Sequence, residues 1–207
     1  NVLNGGKHAN NSADFQEFMI IPSSADSYAQ AVQIGSEVFM ALKKGLANLG
    51  GSTAVGDEGG FTHEVQSNTQ KLDMLMMAVT SAGYQPGVDV HFALDVAASE
   101  FYQDGKYHLA NENRYIDSTE MIEYLSEIAQ SYPVISIEDG LDQDDWNSWV
   151  SQTSVLGENV QLVGDDLLVT TQERLQKAID MGAGNAILIK PNQIGTLTET
   201  IRAIQLA

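Results

Sequence analysis

The sequence has no cysteine in 207 residues, which excludes both a disulfide framework and a thiol nucleophile. Cations are scarce: ten Lys and Arg stand against 28 Asp and Glu, for a net charge of −18. Nucleic acid and anionic membrane surfaces are bound through basic faces, so neither is expected as a partner. An anionic substrate would need metal ions or a local cationic cluster to offset this field. No apolar run is long enough to span a bilayer and no signal-peptide pattern is present, which makes the cytoplasm the default expectation. The chain also lacks a linker, a low-complexity segment and a clear repeat. Its hydrophobic content of 43% and charged content of 18% are ordinary for a globular protein, and the length suffices for one domain with a substantial core. The opening Asn1, without methionine, and the close at Ala207 inside a helical pattern read as an internal fragment of a longer protein.

Four short apolar runs are what the chain does have, each ending in a charged residue. Phe92-Ala93-Leu94 leads into Asp95, Val134-Ile135-Ser136-Ile137 into Glu138, Val160 to Gly164 into Asp165, and Ala186-Ile187-Leu188-Ile189 into Lys190. Runs of this kind, followed by helical patterns, read as buried parallel strands. A lone Asp after a strand is ordinarily a helix cap or turn residue. Four successive strand ends bearing three carboxylates and then a lysine are harder to treat so. The last three lie about one strand–helix unit apart, and a hairpin at the Asp104-Gly105 turn lengthens the first interval. Three carboxylates suit a hard divalent cation such as magnesium, and a lysine beside it suits a base. The βα succession allows either a barrel or an open doubly wound sheet; the convergence of strand ends favours the barrel, whose carboxyl end carries the chemistry.

The rest of the chain fits around these runs. Gln16 to Pro22 reads as a strand stopped by proline. A long helix from about Ser27 lines up Ala31, Ile34, Val38, Leu42 and Leu46, and Gly50-Gly51 ends it. Val55-Gly56-Asp57-Glu58-Gly59-Gly60 is a glycine-rich loop with two acids and no lysine, so it is no phosphate-cradling loop. Ser67 with Gln70, Asp117 with Glu120, Thr170 with Glu173 and Thr196 with Glu199 read as helix starts, three of them as capping boxes. Asp142, Asp144 and Asp145 are better explained as caps than as ligands. Met74, Met76 and Met77 read as core filler, and Trp146 and Trp149 as helix-to-barrel packing. His63, His91 and His108 read as ordinary surface or loop histidines.

The sequence resembles the enolases, glycolytic 2-phospho-D-glycerate hydro-lyases. The resemblance rests on Asn1 to Ala9, Gln16-Glu17-Phe18-Met19, Val55 to Phe61, Leu94 to Phe101, Ser136 to Gly140, Gly164-Asp165-Asp166 and Ile189 to Thr196, in the family's order and across almost the whole chain. It implies an α/β fold, a TIM-type (β/α)8 barrel of the ββαα(βα)6 variety. The barrel would be incomplete, residues 1–207 holding the end of strand one and strands two to six. The family's amino-terminal α+β domain and its last barrel strands would be absent, leaving the site incomplete and the fragment alone inactive. By position, Asp95, Glu138 and Asp165 would hold a first Mg²⁺, Lys190 would remove the C2 proton, Glu58 would assist loss of the C3 hydroxide, and Glu17 and His8 would lie against the substrate. A second Mg²⁺ would involve a serine outside this sequence. The resemblance also implies 2-phosphoglycerate and phosphoenolpyruvate as ligands, a homo-oligomer (dimer or octamer) at full length, and a cytoplasmic location with room for a secondary cell-surface or secreted pool. Pro191 departs from the family, where valine or leucine is common; it restricts Lys190 to the extended conformation a strand end already has. The rival readings are another acid-sugar or muconate-type superfamily member, which should lack the Gly-Asp-Glu-Gly-Gly loop, and a non-catalytic interaction protein.

Overall fold

The computed structural model describes residues 1–9, 12–56 and 58–207; Asp57 of the glycine-rich motif lies outside them. Chain order begins with two strands and two helices: β1 (Leu3–Asn4), β2 (Glu17–Ile21), α1 (Tyr28–Asn48) and α2 (Asn68–Ser81). Then come β3 (His91–Asp95), a small sheet of β4 (Tyr102–Gln103), β5 (Lys106–Leu109) and β6 (Arg114–Ile116), and α3 (Ser118–Ser131). Regular units follow: β7 (Val134–Glu138), α4 (Trp146–Leu156), β8 (Gln161–Gly164), α5 (Gln172–Met181), β9 (Ala186–Ile187), α6 (Pro191–Ile194) and α7 (Leu197–Leu206). The main sheet has the order β1-β2-β3-β7-β8-β9. β2 is antiparallel to both its neighbours, while β3, β7, β8 and β9 run parallel. The sheet is open, with β1 and β9 as its edges, so the described residues form an incomplete barrel.

Local chemistry explains the helix starts. The side chains of Ser27, Ser67, Asp145, Thr171 and Thr196 each accept a backbone N–H from the first turn, and Asp117 and Glu120 form a full capping box. The start of α5 corrects the sequence expectation: its cap is Thr171, not Thr170, which is a left-handed residue with φ +57°. Ser67 accepts from Gln70 N, but the Gln70 side chain turns instead to Gln66 N, so that box is half made. The helices bury one face each. Ile34, Val38, Leu42 and Leu46 of α1 share the core with Leu72, Leu75 and Val79 of α2. Truncating one such leucine to alanine costs about 2–5 kcal/mol. Met74 and Met76 pack on this core, whereas Met77 is exposed. No helix among the described residues is long and apolar enough to cross a membrane.

Candidate active site

Strand register lays a polar row across one end of the sheet. Asn4 pairs with Glu17, Glu17 with Asp95, and Asp95 with Glu138. Register partners on neighbouring strands face the same side, so three carboxylates from three strands share one surface. Asp165 follows directly on β8, and Lys190 caps the start of α6 just beyond β9. The Lys190 ammonium is ion-paired with one oxygen of Asp165, and Gln193 Nε2 donates to the other at 2.6 Å. Lys190 N donates to Thr170 Oγ1 at 2.9 Å, fixing the lysine backbone beside the carboxylate. Asp95 accepts from Gln16 Nε2 and Ala97 N, both at 3.0 Å.

Asp139 lies within the Ser136–Gly140 motif, directly after β7. Its buried carboxylate accepts the backbone N–H of Asp165 at 3.1 Å and of Asp166 at 2.7 Å. It thereby ties the end of β8 to the end of β7. Carboxylate oxygens of Glu138, Asp139 and Asp165 all lie within 4.8 Å of one another. Asp95 stands outside that set, one strand over. Left-handed non-glycine residues follow these strand ends: Ala97 at φ +46°, Asp139 at +43°, and Val169 and Thr170 at +41° and +57°. Such backbone costs about 1–3 kcal/mol per residue and gathers where geometry is over-determined.

The electrostatics describe a site short of positive charge. Burial raises the Asp95 carboxyl to about 7, with Glu17 and Asp139 adding repulsion. Burial also lifts Glu138 to about 8, helped by Asp95, Asp139 and Asp165 and opposed by Lys190. Asp139 reaches about 7, again chiefly through burial. Burial pulls the Lys190 ammonium down, but its bond to Asp165 and the charges of Asp165, Glu138 and Asp95 outweigh this and leave it raised. An all-oxygen donor set whose mutual repulsion either protons or a cation can relieve fits a hard divalent ion, Mg²⁺ above all.

A second group borders the row at Glu17. His8, Glu17 and Glu58 each bring a ligand atom within 4.8 Å of the others, with His8 Nδ1 at 3.7 Å from Glu17 Oε1. Burial, then the charge of Glu58, raises the Glu17 carboxyl. Glu58 itself is exposed at the tip of a loop closed by Gly56 N→Gly60 O at 2.8 Å. The loop base is pinned to β1 by Asn4 N→Phe61 O and Phe61 N→Val2 O, at 3.0 and 2.9 Å. A Cβ on Gly60 would come within 2.5 Å of Asn4 Oδ1 and 2.8 Å of Leu3 N, so only glycine allows this approach.

The structure therefore brings all seven sequence-nominated residues to one end of the sheet, in two adjoining groups: Asp95, Glu138, Asp165 and Lys190, and His8, Glu17 and Glu58. Sequence reasoning gave no site role to Gln16, Asp139 and Gln193, which lie inside the motifs, and read Thr170 as a helix cap; Gln16 and Gln193 hold nominated carboxylates, and Asp139 and Thr170 hold the backbone at Asp165 and Lys190. A cleft of about 600 Å³ lies to one side, lined by Lys7, Asp14, Glu100, His108 and Asn111 among others, and includes none of the row. A family model described as "Enolase, C-terminal TIM barrel domain" matches residues 1–207.

Proposed function

The chain belongs to the enolase C-terminal TIM-barrel family, and from that premise we propose that it serves the reversible, magnesium-dependent dehydration of 2-phospho-D-glycerate to phosphoenolpyruvate. The observation that carries this reading is the strand-end row of Glu17, Asp95 and Glu138, continued by Asp165 with Lys190 ion-paired to it and bordered at Glu17 by His8 and Glu58.

Asp95, Glu138 and Asp165 would hold the first Mg²⁺, with Asp139 fixing the backbone of Asp165. The C2 proton is weakly acidic because its removal puts a second negative charge on a fragment that already bears a carboxylate. Bound Mg²⁺ supplies the charge that stabilises this fragment. Lys190 Nζ would take the C2 proton and must be neutral to do so; its ion pair with Asp165 favours the charged form. The C3 hydroxide departs with a proton from Glu58, and phosphoenolpyruvate and water result. Glu58 must carry the proton it delivers in that step. Glu17 and His8 border the same substrate face. The complete protein would act as a homo-oligomer in the cytoplasm.

The test is ultraviolet detection of phosphoenolpyruvate from 2-phosphoglycerate by the complete polypeptide, with magnesium and then with a chelator. Chelator-sensitive formation is expected. A folded, magnesium-loaded protein that forms none refutes the reading.

A further inference from the structure

Lys71 is the one fully buried cation among the described residues. It lies on α2, outside the carboxylate row, and the chemistry above makes no use of it. Its ammonium donates to the Asn4 carbonyl and to Ser12 Oγ, the latter at 2.6 Å. Its Nζ stands 5.6 Å from the centroid of the Phe18 ring. No carboxylate among the described residues pairs with it. A buried ammonium with only neutral acceptors is costly beside an apolar side chain of similar length, so packing does not explain a lysine here.

What Lys71 touches does explain it. Asn4 is the register partner of Glu17. Ser12 lies in the passage between His8 and Glu17, and its Oγ is within hydrogen-bond reach of Asn4 O at 2.9 Å and His63 O at 2.8 Å. His63 follows the limb of the glycine-rich loop that Phe61 pins to β1. One ammonium thus joins β1 to the passage before β2, and through Ser12 Oγ reaches the base of the loop. These segments carry or adjoin His8, Glu17 and Glu58. Lys190, five strands away at the opposite edge of the sheet, shares no bond with this cluster.

We propose that Lys71 is a positioning residue, a clamp that holds the Glu17–His8–Glu58 group in register with the carboxylate row. This rests on the functional reading given above. The clamp serves the loss of hydroxide at C3, and proton removal at C2 by Lys190 does not depend on it.

The test uses the complete, magnesium-loaded polypeptide and two variants. Lys71→Met removes the charge and all donors at nearly constant length, and Lys71→Gln keeps an N–H donor. Lys71→Met should lower kcat for dehydration tenfold or more with KM within threefold, while exchange of the C2 proton with deuterated solvent stays within threefold of wild type. Lys71→Gln should recover part of the lost kcat. Amide hydrogen exchange at Asn4 and Phe61 should quicken in Lys71→Met. Equal loss of dehydration and C2 exchange, or loss of neither, overturns the proposal. If the wild-type protein shows neither reaction, the functional reading fails first; unchanged amide protection at Asn4 and Phe61 then overturns the clamp as well.

Discussion

Replacing Lys71 by methionine should make the protein more stable near neutral pH, and by an amount that fades in alkali. Burial lowers the Lys71 ammonium from its ordinary 10.5 to about 7. The unfolded chain therefore binds a proton at this site more tightly than the fold does across that interval. Stability contributed by the site rises with pH between about 7 and 10.5. At pH 7 the full shift corresponds to a penalty of about 4 kcal/mol, and at pH 9.5 to about 1.4 kcal/mol. Relaxation around the buried group reduces both figures. Methionine removes the penalty but forfeits the hydrogen bonds to Asn4 O and Ser12 Oγ, at a cost of about 1 kcal/mol each. That cost is nearly independent of pH. The difference between variant and wild type should thus fall by about 1–3 kcal/mol from pH 7 to pH 9.5, whatever its starting value. Urea denaturation of both proteins at several pH values in that range measures it, and groups titrating alike in both cancel. Working above pH 7 also avoids His63, whose imidazole is depressed by burial and then by Lys71. A difference that stays constant from pH 7 to 9.5 would refute the reasoning, since Lys71 would then hold its proton equally well in both states.

Further expectations follow from the carboxylates. Asp95, Glu138 and Asp139 have folded pKa values raised above their ordinary ones, so their contribution to stability is full below pH 4 and is lost as pH rises to about 8. Without metal, the melting temperature should drop by about 3–10 °C between pH 5 and 8, and magnesium should restore much of it; calorimetry with and without a chelator reads both. Asp139→Ala should weaken magnesium binding by about 10–100-fold through loss of its grip on Asp165 and Asp166, measured by titration calorimetry. Lys190→Ala should slow exchange of the C2 proton by about 10²–10⁴-fold; near-normal exchange by NMR would assign the base elsewhere. Gly60→Ala should displace the loop base and cost about 1–3 kcal/mol, seen as a lower urea midpoint.

The strand ends were legible because buried parallel strands write themselves as apolar runs, and a charge closing such a run stands out. Asp95, Glu138, Asp165 and Lys190 were found this way. The unit β4–β5–β6 was only half visible: the Asp-Gly turn marked its hairpin, but β6 pairs through residues with no alternating pattern of their own. β9 shows the opposite error, since its apolar run extends to Ile189 while ladder pairing covers only Ala186–Ile187. Thr170 was read as a cap from local spacing, yet tertiary contact claims it for Lys190, and its neighbour takes the cap. Gln16, Asp139 and Gln193 act across strands, and no single-sequence pattern encodes which strands will be neighbours. Lys71 sits at a helix position where apolar periodicity alone would ask for a hydrophobe, which was the one clue to it.

The reversed direction of β2 has a consequence for how often the chain visits the working end of the sheet. In a regular βα unit the chain passes that end once, on leaving the strand. β2 starts there, at Glu17 opposite Asp95, and leaves at Ile21 opposite His91. A direct hairpin from Ile21 to His91 would also let β3 start in parallel with its successors, but this chain inserts α1, which climbs back, and α2, which descends again. With two helices in place of a hairpin, their connection falls at the working end. The inserted helix pair therefore gives the chain an extra pass through the site. The glycine-rich loop with Glu58 occupies that pass, its base bridged to β1 at Phe61 and its tip contributed by a connection rather than by a strand end.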